Sequence, residues 1–190
     1  MDALFHHIAR FAGTLKAEDK KLLASVLGER ELKKKEYLLK EGRIGTANYF
    51  IVKGCCRMYY INDKGVEQIV QFGIDNWWIT DYVSYETGKP SQFYIQAVEP
   101  SSVIVWDKRK EEELFLHIPV LERYFRVILQ RMHAAAQQRT KYFSDFTGEE
   151  RYRHFSSSFP DFVQRVPQYM LASYLGFTPE FLSKIRAGKT

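Results

Sequence analysis

The chain has 190 residues, of which 45% are hydrophobic and 15% aromatic, a composition typical of a folded protein and not of a disordered segment. No apolar run approaches the ~20 residues that a membrane-spanning helix needs, and the N-terminus lacks the basic start and cleavage site of a signal peptide, so we expect a cytoplasmic protein. The net charge of +5 is uneven: residues 123–190 carry 11 Lys+Arg against 5 Asp+Glu, and residues 1–122 carry 17 against 18. Binding to nucleic-acid phosphates would require such a basic C-terminal part.

Two short helices are predicted at the start of the chain, over residues 3–11 and 18–27. From residue 31 the pattern changes to short runs rich in β-branched and aromatic residues, with glycines between them. A turn at residues 62–65 joins two of these runs and predicts a β-hairpin. Short antiparallel strands at this spacing indicate a barrel or a rolled sandwich. The clearest strands are predicted over residues 57–61, 66–72, 93–98 and 102–106.

The pattern becomes helical after residue 106. Asp107 is a candidate cap for a short helix through Leu116, Pro119 interrupts it, and a long helix is predicted over residues 120–146. Apolar residues recur on the long helix at steps of three, four or seven, the pattern of a seam between two helices. We predict that this seam forms a homodimer, with a core helix of a single chain as the alternative. The seam residues are Leu121, Phe125, Ile128, Met132, Ala135 and Tyr142.

A further short helix is predicted over residues 148–162, ending near Pro160, and two short helices joined by a tight turn follow it. Gly176 comes just after the last apolar residue of the first of these two, where a left-handed residue commonly ends a helix. Thr178 and Pro179 then supply the N-cap and first position of the second. Residues 167–188 therefore predict a helix-turn-helix, with an ordinary helical hairpin as the alternative.

The outer face of the second helix favours DNA binding. Polar side chains occupy that face, clear of its apolar edge, and a recognition helix needs such side chains to meet base edges and phosphates. They are Glu180, Ser183, Lys184 and Arg186.

The sequence offers little support for a cofactor site or an enzyme. Cys55 and Cys56 are adjacent, and two neighbouring thiols cannot build a four-thiolate zinc or iron–sulfur site. A cupin-like metal enzyme would need histidines on its strands, but residues 31–106 contain none. We therefore predict no cofactor, no metal and no enzymatic activity. Histidines that would have to ligate a haem all lie outside the predicted strands: His6, His7, His117, His133 and His154.

The order of these parts resembles the Crp/Fnr superfamily of transcription regulators. Three segments resemble its Bacteroidetes-type branch: RYRHF, NWWITDYVSYETGKPSQFYIQAVE and FPDFVQRVPQYMLASYLGFTPEFLSKIR. The resemblance implies an α+β fold: a cyclic-nucleotide-binding-like β-roll in residues 1–119, a dimerisation helix in 120–147 and a helix-turn-helix DNA-binding domain in 148–190. It also implies a homodimer on a two-fold symmetric operator in double-stranded DNA. RNA polymerase and an unknown small-molecule effector are further partners that it allows.

In this superfamily the recognition helix begins with Ser or Thr, continues with Arg-Glu and has a second Arg four residues after the Glu. Thr178, Glu180 and Lys184 match this pattern in type, but Pro179 stands where the first arginine would be. Lysine lacks the bidentate fork of arginine, so we expect a different operator. The chain ends at Thr190 without room for the β-hairpin wing that often follows. We expect phosphate contacts from Gln168, Arg186 and Lys189.

The sensor departs further from the superfamily pattern. Thr80 and Asp81 replace the Gly-Glu pair of the cyclic-nucleotide pocket, and Pro90 and Ser91 replace its Arg-Ser pair. A buried phosphate without that arginine would be unpaired, so we predict weak or no binding of cyclic AMP. A different effector could occupy an aromatic pocket, although a packed core is the simpler interpretation. The aromatic residues are Trp78, Tyr82, Tyr85 and Phe93.

Two functions remain open from the sequence. The first is a dimeric, sequence-specific DNA-binding transcription regulator with a degenerate sensor domain. The second is a ligand-binding or protein-interaction module of the same fold that has lost specific DNA binding.

Overall fold

Two four-stranded antiparallel sheets form the first part of the molecule in the computed structural model, which describes residues 1–188. The strands are β1 Gly28–Leu32, β2 Tyr37–Leu39, β3 Ala47–Lys53, β4 Cys55–Ile61, β5 Glu67–Ile74, β6 Trp78–Ile79, β7 Tyr94–Ala97 and β8 Ser101–Asp107. The strand order is β1-β8-β3-β6 in the first sheet and β2-β7-β4-β5 in the second. This arrangement confirms the predicted rolled sandwich, and β4 and β5 are the predicted hairpin.

Side chains from both sheets fill the inside of the roll. Cys56 belongs to this inner core, whereas its neighbour Cys55 faces the outer side of the second sheet, as strand alternation requires. Burial raises the pKa of both thiols to about 12, so both stay protonated at neutral pH and act as small apolar groups. The buried residues of the inner core are Leu32, Leu38, Leu39, Ala47, Tyr49, Ile51, Cys56, Ile79, Ile95, Ala97 and Val103.

Helices precede, interrupt and follow the roll. No helix within residues 1–188 is long and apolar enough to cross a membrane. One short helix was not expected: Asp81 caps it, and it ends at Gly88 in the left-handed conformation. The helices are α1 Asp2–Phe11, α2 Ala17–Val26, α3 Tyr82–Thr87, α4 Glu111–His117, α5 Val120–Asp145, α6 Gly148–Ser158, α7 Pro160–Arg165, α8 Gln168–Leu175 and α9 Pro179–Arg186, with a 3-10 turn at Lys108–Lys110.

The single helix predicted over residues 148–162 is wrong, because the structure contains two helices there. Phe159, with φ −137° and ψ 58°, separates α6 from α7. Pro160 restricts the residue before it to non-helical conformations and then suits the first position of the next helix. Asp107 caps the 3-10 turn that leads directly into α4, since its side chain accepts a hydrogen bond from the Arg109 N–H, whereas α4 itself begins after Lys110 without a side-chain cap.

The first half of α5 packs inside the chain. Leu121, Phe125 and Ile128 are buried in a core that also holds Leu4 and Ile8 of α1. These three residues are therefore unavailable to a second chain, which corrects half of the predicted dimer seam. Apolar periodicity marks a buried face but does not identify the partner that buries it.

The rest of the predicted seam faces a cleft within the same chain. Met132 is partly buried against the core of α1 and α5, and Ala135 and Tyr142 line the cleft beyond it. The Tyr142 ring stacks on Phe146, with ring centroids 5.1 Å apart.

A series of hydrogen bonds between polar side chains inside this core joins α1, the roll and α5. The Trp78 indole N–H donates to the Tyr124 hydroxyl (2.8 Å), which lies 2.7 Å from His7 Nδ1. Since an indole can only donate, the arrangement that satisfies every group has the Tyr124 O–H donating to an unprotonated Nδ1. Burial, with smaller effects from Arg10 and Arg131, lowers the pKa of His7 to about 4.

We expect the free energy of unfolding to fall as the pH drops from about 6.5 to about 4. In this window the unfolded chain protonates His7 while the folded chain does not, so lower pH favours unfolding. Urea denaturation at several pH values measures the slope, and His7→Gln, which keeps all carboxylates but has no titrating ring, is the control. Equal slopes for both chains would contradict the assignment.

Candidate functional site

The predicted helix-turn-helix is present as α8 and α9. Gly176 ends α8 with φ 78°, and the Phe177 N–H donates to the Ala172 carbonyl (2.9 Å), which closes the turn. The Thr178 hydroxyl accepts from the Phe181 N–H (3.2 Å) and caps α9. Ala172 is fully buried, and the predicted helix end at Gly176 and N-cap at Thr178 are both confirmed.

The outer face of α9 is free. Glu180, Ser183, Lys184 and Arg186 are all exposed. A hydrogen bond from its own backbone N–H, together with one from the Thr178 hydroxyl, lowers the pKa of Glu180, so this side chain is an ionised acceptor at neutral pH.

Gln168 lies at the start of α8, close to the outer face of α9. It lines a shallow hollow of about 360 Å³ together with Pro179, Ser183 and Arg186. The Gln168 Oε1 atom is buried and has no hydrogen-bond partner among the described residues. The structure thus brings most of the predicted DNA contacts to one surface. Lys189, the remaining predicted contact, lies outside the described residues.

The turn makes Gly176 hard to replace. We expect Gly176→Ala to destabilise the fold by roughly 2 kcal/mol, because a Cβ would meet the left-handed backbone penalty and lie 3.0 Å from the Phe143 ring. Gly65→Ala, with φ 74° and no atom within 4 Å of its Cβ, isolates the backbone penalty. Urea denaturation of both variants measures the difference, and equal losses would show that the Phe143 contact is harmless.

The helix-turn-helix is docked on the roll. The Ser173 hydroxyl of α8 accepts from the Ile69 N–H of β5 and donates to the Glu67 carbonyl, both at 3.0 Å. Apolar residues of α7, α8 and α9 share a core with the outer side of the second sheet, which fixes the position of α9 relative to the roll. The buried residues of this shared core are Cys55, Tyr59, Ile69, Phe72, Val98, Phe162, Val166, Met170, Leu171, Ala172, Leu175 and Leu182.

Two arginines strengthen this docking. Arg165 of α7 binds Asp75 and Glu99, with shortest contacts of 2.6 Å to each carboxylate. Burial alone would raise the pKa of Asp75, but hydrogen bonds from Arg165 and from the Gly54 N–H outweigh it and lower that pKa. Arg139 of α5 donates to the Val70 carbonyl (2.6 Å) and the Tyr174 carbonyl (3.0 Å). Neither arginine could be predicted from local sequence patterns, because their partners are distant in the chain.

The segment predicted to replace the cyclic-nucleotide pocket forms hydrogen bonds within itself. Asp81 accepts from the N–H groups of Val83 (3.0 Å) and Ser84 (3.3 Å), and from the Ser91 hydroxyl (2.7 Å). The Thr80 hydroxyl donates to the Ala47 carbonyl (2.9 Å). A protein carboxylate therefore already uses the donors at this point of the roll.

The remaining residue of this segment is at the surface. Pro90 is exposed and forms an isolated bridge with Ile44.

The prediction of one aromatic pocket is wrong, because its four residues do not lie together. Trp78 packs instead in the core of α1 and α5, 5.2 Å from the Phe125 ring and 5.3 Å from Phe50. Tyr82 and Tyr85 contact each other edge to face, whereas Phe93 packs against Tyr60 near the hairpin. Trp78 and Tyr85 are buried, as the packed-core interpretation expects, whereas Tyr82 and Phe93 are only partly buried. Residues close in sequence point to different sides of the roll.

Comparison with known proteins agrees with this architecture. Residues 29–117 match the cyclic nucleotide-binding domain family. The transcriptional activator protein Anr of Pseudomonas protegens is 25% identical over 184 residues, which cover 90% of this chain and 75% of that protein. The chain is therefore Crp/Fnr-like, as its motifs indicated, and the Bacteroidetes-type branch stays a prediction.

Solved structures share the fold. FixK2 of Bradyrhizobium japonicum superposes with a TM-score of 0.71 at 19% identity, over 86% of this chain and 84% of that one. The c-di-GMP responsive global regulator CLP of Xanthomonas campestris gives a TM-score of 0.72 at 11% identity, over 91% of each chain. These superpositions confirm the predicted α+β architecture of β-roll and long helix.

Proposed function

We propose that this protein is a dimeric, sequence-specific DNA-binding transcription regulator whose sensor domain does not respond to cyclic AMP. The observation that carries the proposal is the capped helix-turn-helix with a fully exposed polar face on α9. The similarity to the activator Anr and the excess of basic residues after residue 122 support the same function. RNA polymerase is a further partner within this proposal.

Base recognition is assigned to Glu180 and Lys184. An ionised Glu180 can accept a hydrogen bond from cytosine N4, and Lys184 can donate to guanine O6 or N7. Gln168 and Arg186, at the edge of the same surface, would contact phosphates, as would Lys189. Because Pro179 offers neither a charge nor an N–H, the operator differs from one read by two arginines.

The proposed dimer uses the outward face of α5. Leu129 and Phe143 are 43% and 37% exposed there, unusually open for large apolar side chains on a long helix. This face repeats at alternating steps of four and three residues, which is the spacing of a two-helix seam. Two such chains would place their recognition helices on a two-fold symmetric operator. The outward residues are Leu129, His133, Ala136, Thr140 and Phe143.

Asp81 supports the absence of a cyclic-AMP response. A cyclic phosphate placed at the start of α3 would compete with the Asp81 carboxylate for the same N–H groups and would be repelled by its charge. Pro90 provides no cation to offset that repulsion.

We expect the protein to give a specific footprint on a promoter fragment, such as its own upstream region, with an affinity that falls steeply with salt. Glu180→Ala and Lys184→Ala should each lose about 1–3 kcal/mol of discrimination against the wrong base pair. Lys34→Ala, which removes the same charge from an exposed turn of the roll, should leave specificity unchanged.

If no promoter fragment gave a footprint, this result would contradict DNA binding. It would favour an interaction module that has lost specific DNA binding. Footprints that are identical for Glu180→Ala, Lys184→Ala and the unchanged protein would instead show that other residues read the bases.

We expect isothermal titration calorimetry to show no micromolar binding of cyclic AMP, and cyclic AMP to leave the melting temperature unchanged. Both expectations follow because the Asp81 carboxylate already occupies the N–H groups of Val83 and Ser84. A saturable heat of binding at micromolar cyclic AMP would overturn the assignment of this segment as a degenerate pocket.

A further inference from the structure

A cleft of about 1270 Å³, open to solvent, separates the sensor side of the molecule from the helix-turn-helix side. Its walls come from α1, the connection between β5 and β6, α5, α6 and α8. It is distinct from the segment around Asp81, none of which lines it. Aromatic rings dominate its surface: Phe11, Phe72, Trp77, Trp78, Tyr142, Phe143, Phe146, Phe155, Phe159 and Tyr174.

Four arginines converge on this cleft in two pairs. The guanidinium carbons of Arg10 and Arg131 lie 5.3 and 4.8 Å from the centroid of the Phe11 ring. Those of Arg139 and Arg151 lie 5.1 and 4.4 Å from the Phe143 ring. Arg131 and Arg139 are eight residues apart on α5, so the two pairs are separated by about 12 Å along the helix.

These positive charges are not neutralised by the protein. Within residues 1–188, none of the four arginines has a carboxylate within 4 Å, and the one acidic residue lining the cleft, Asp75, is bound to Arg165. The Nε atoms of Arg139 and Arg151 are buried and have no hydrogen-bond partner among the described residues. Burial also lowers the pKa of Arg151. Such a site favours an anion with an apolar body.

We propose that the cleft binds a small amphipathic anion, with its apolar body along the aromatic wall and its carboxylate or phosphate groups at the arginine pairs. Ala136 and Phe143 belong both to the cleft and to the outward residues of α5. A second copy of the chain is nevertheless a poorer occupant, because a two-fold related copy would bring the same unneutralised arginines against each other. Since both the sensor side and the helix-turn-helix side supply walls, the bound anion would bias their relative position. Only this last step rests on the proposed function.

The test is fluorescence titration with bis-ANS, an aromatic dianion, on the full chain without DNA. We expect saturable binding that weakens about tenfold in Arg131→Gln and in Arg10→Gln. Arg126→Gln is the matched control, since this exposed arginine of α5 does not line the cleft. Neither Arg10 nor Arg131 holds a backbone carbonyl, so these variants should keep the melting temperature of the unchanged protein. Because bis-ANS also binds loosely packed states, that melting control is required.

Competition identifies the anionic group. Displacement of bis-ANS by laurate or by lauryl phosphate supports the proposal and shows whether a carboxylate or a phosphate binds better. Equal displacement by dodecyltrimethylammonium would overturn it, because the cleft would then recognise only apolar chains. Absence of saturable binding, or equal affinity in Arg131→Gln and Arg126→Gln, would overturn it as well. Loss of DNA binding would leave this titration unaffected, so the two proposals fail separately.

Discussion

The core shared by the helix-turn-helix and the outer side of the second sheet determines how this molecule works as a unit. Three short helices of about two turns each cannot bury enough apolar surface to be stable alone. Here they bury it against Tyr59, Ile69 and Phe72 of the roll. The position of α9 is therefore set by the roll. A loosely linked DNA-binding domain would need a larger core of its own.

Polar contacts fix the position of α8 along β5. Apolar burial is non-directional and would tolerate sliding of α8 along β5. The two hydrogen bonds of Ser173 engage backbone groups of β5, and Arg165 binds carboxylates from two different parts of the roll. Arg139 adds a link from α5 to both units. A displacement of β5 or α5 must break or shift these bonds, so they are the contacts that link the roll and α5 to the helix-turn-helix.

Local chemistry made much of this structure predictable. Gly176 and Thr178 mark the turn of the helix-turn-helix through backbone geometry and capping, which depend on neighbours in sequence. The same holds for the β4–β5 hairpin. Errors arose where the partner was distant: Leu121, Phe125 and Ile128 form a seam, but with α1 of their own chain. No local sequence pattern predicted the ion pairs of Arg165, since the carboxylates that it binds lie 66 and 90 residues away in the chain.

The electrostatics at the start of α3 and in the cleft beside α5 are opposite in this chain. At the start of α3 the protein supplies its own anion, Asp81, and that carboxylate is already satisfied by hydrogen bonds. In the cleft beside α5 the protein supplies cations and no free carboxylate among the described residues. Because a charge in a partly desolvated site is stabilised by its counter-charge, an anionic ligand would be repelled from the first place and attracted to the second. An anionic ligand is therefore expected at the junction of the roll and the helix-turn-helix, and not at the start of α3.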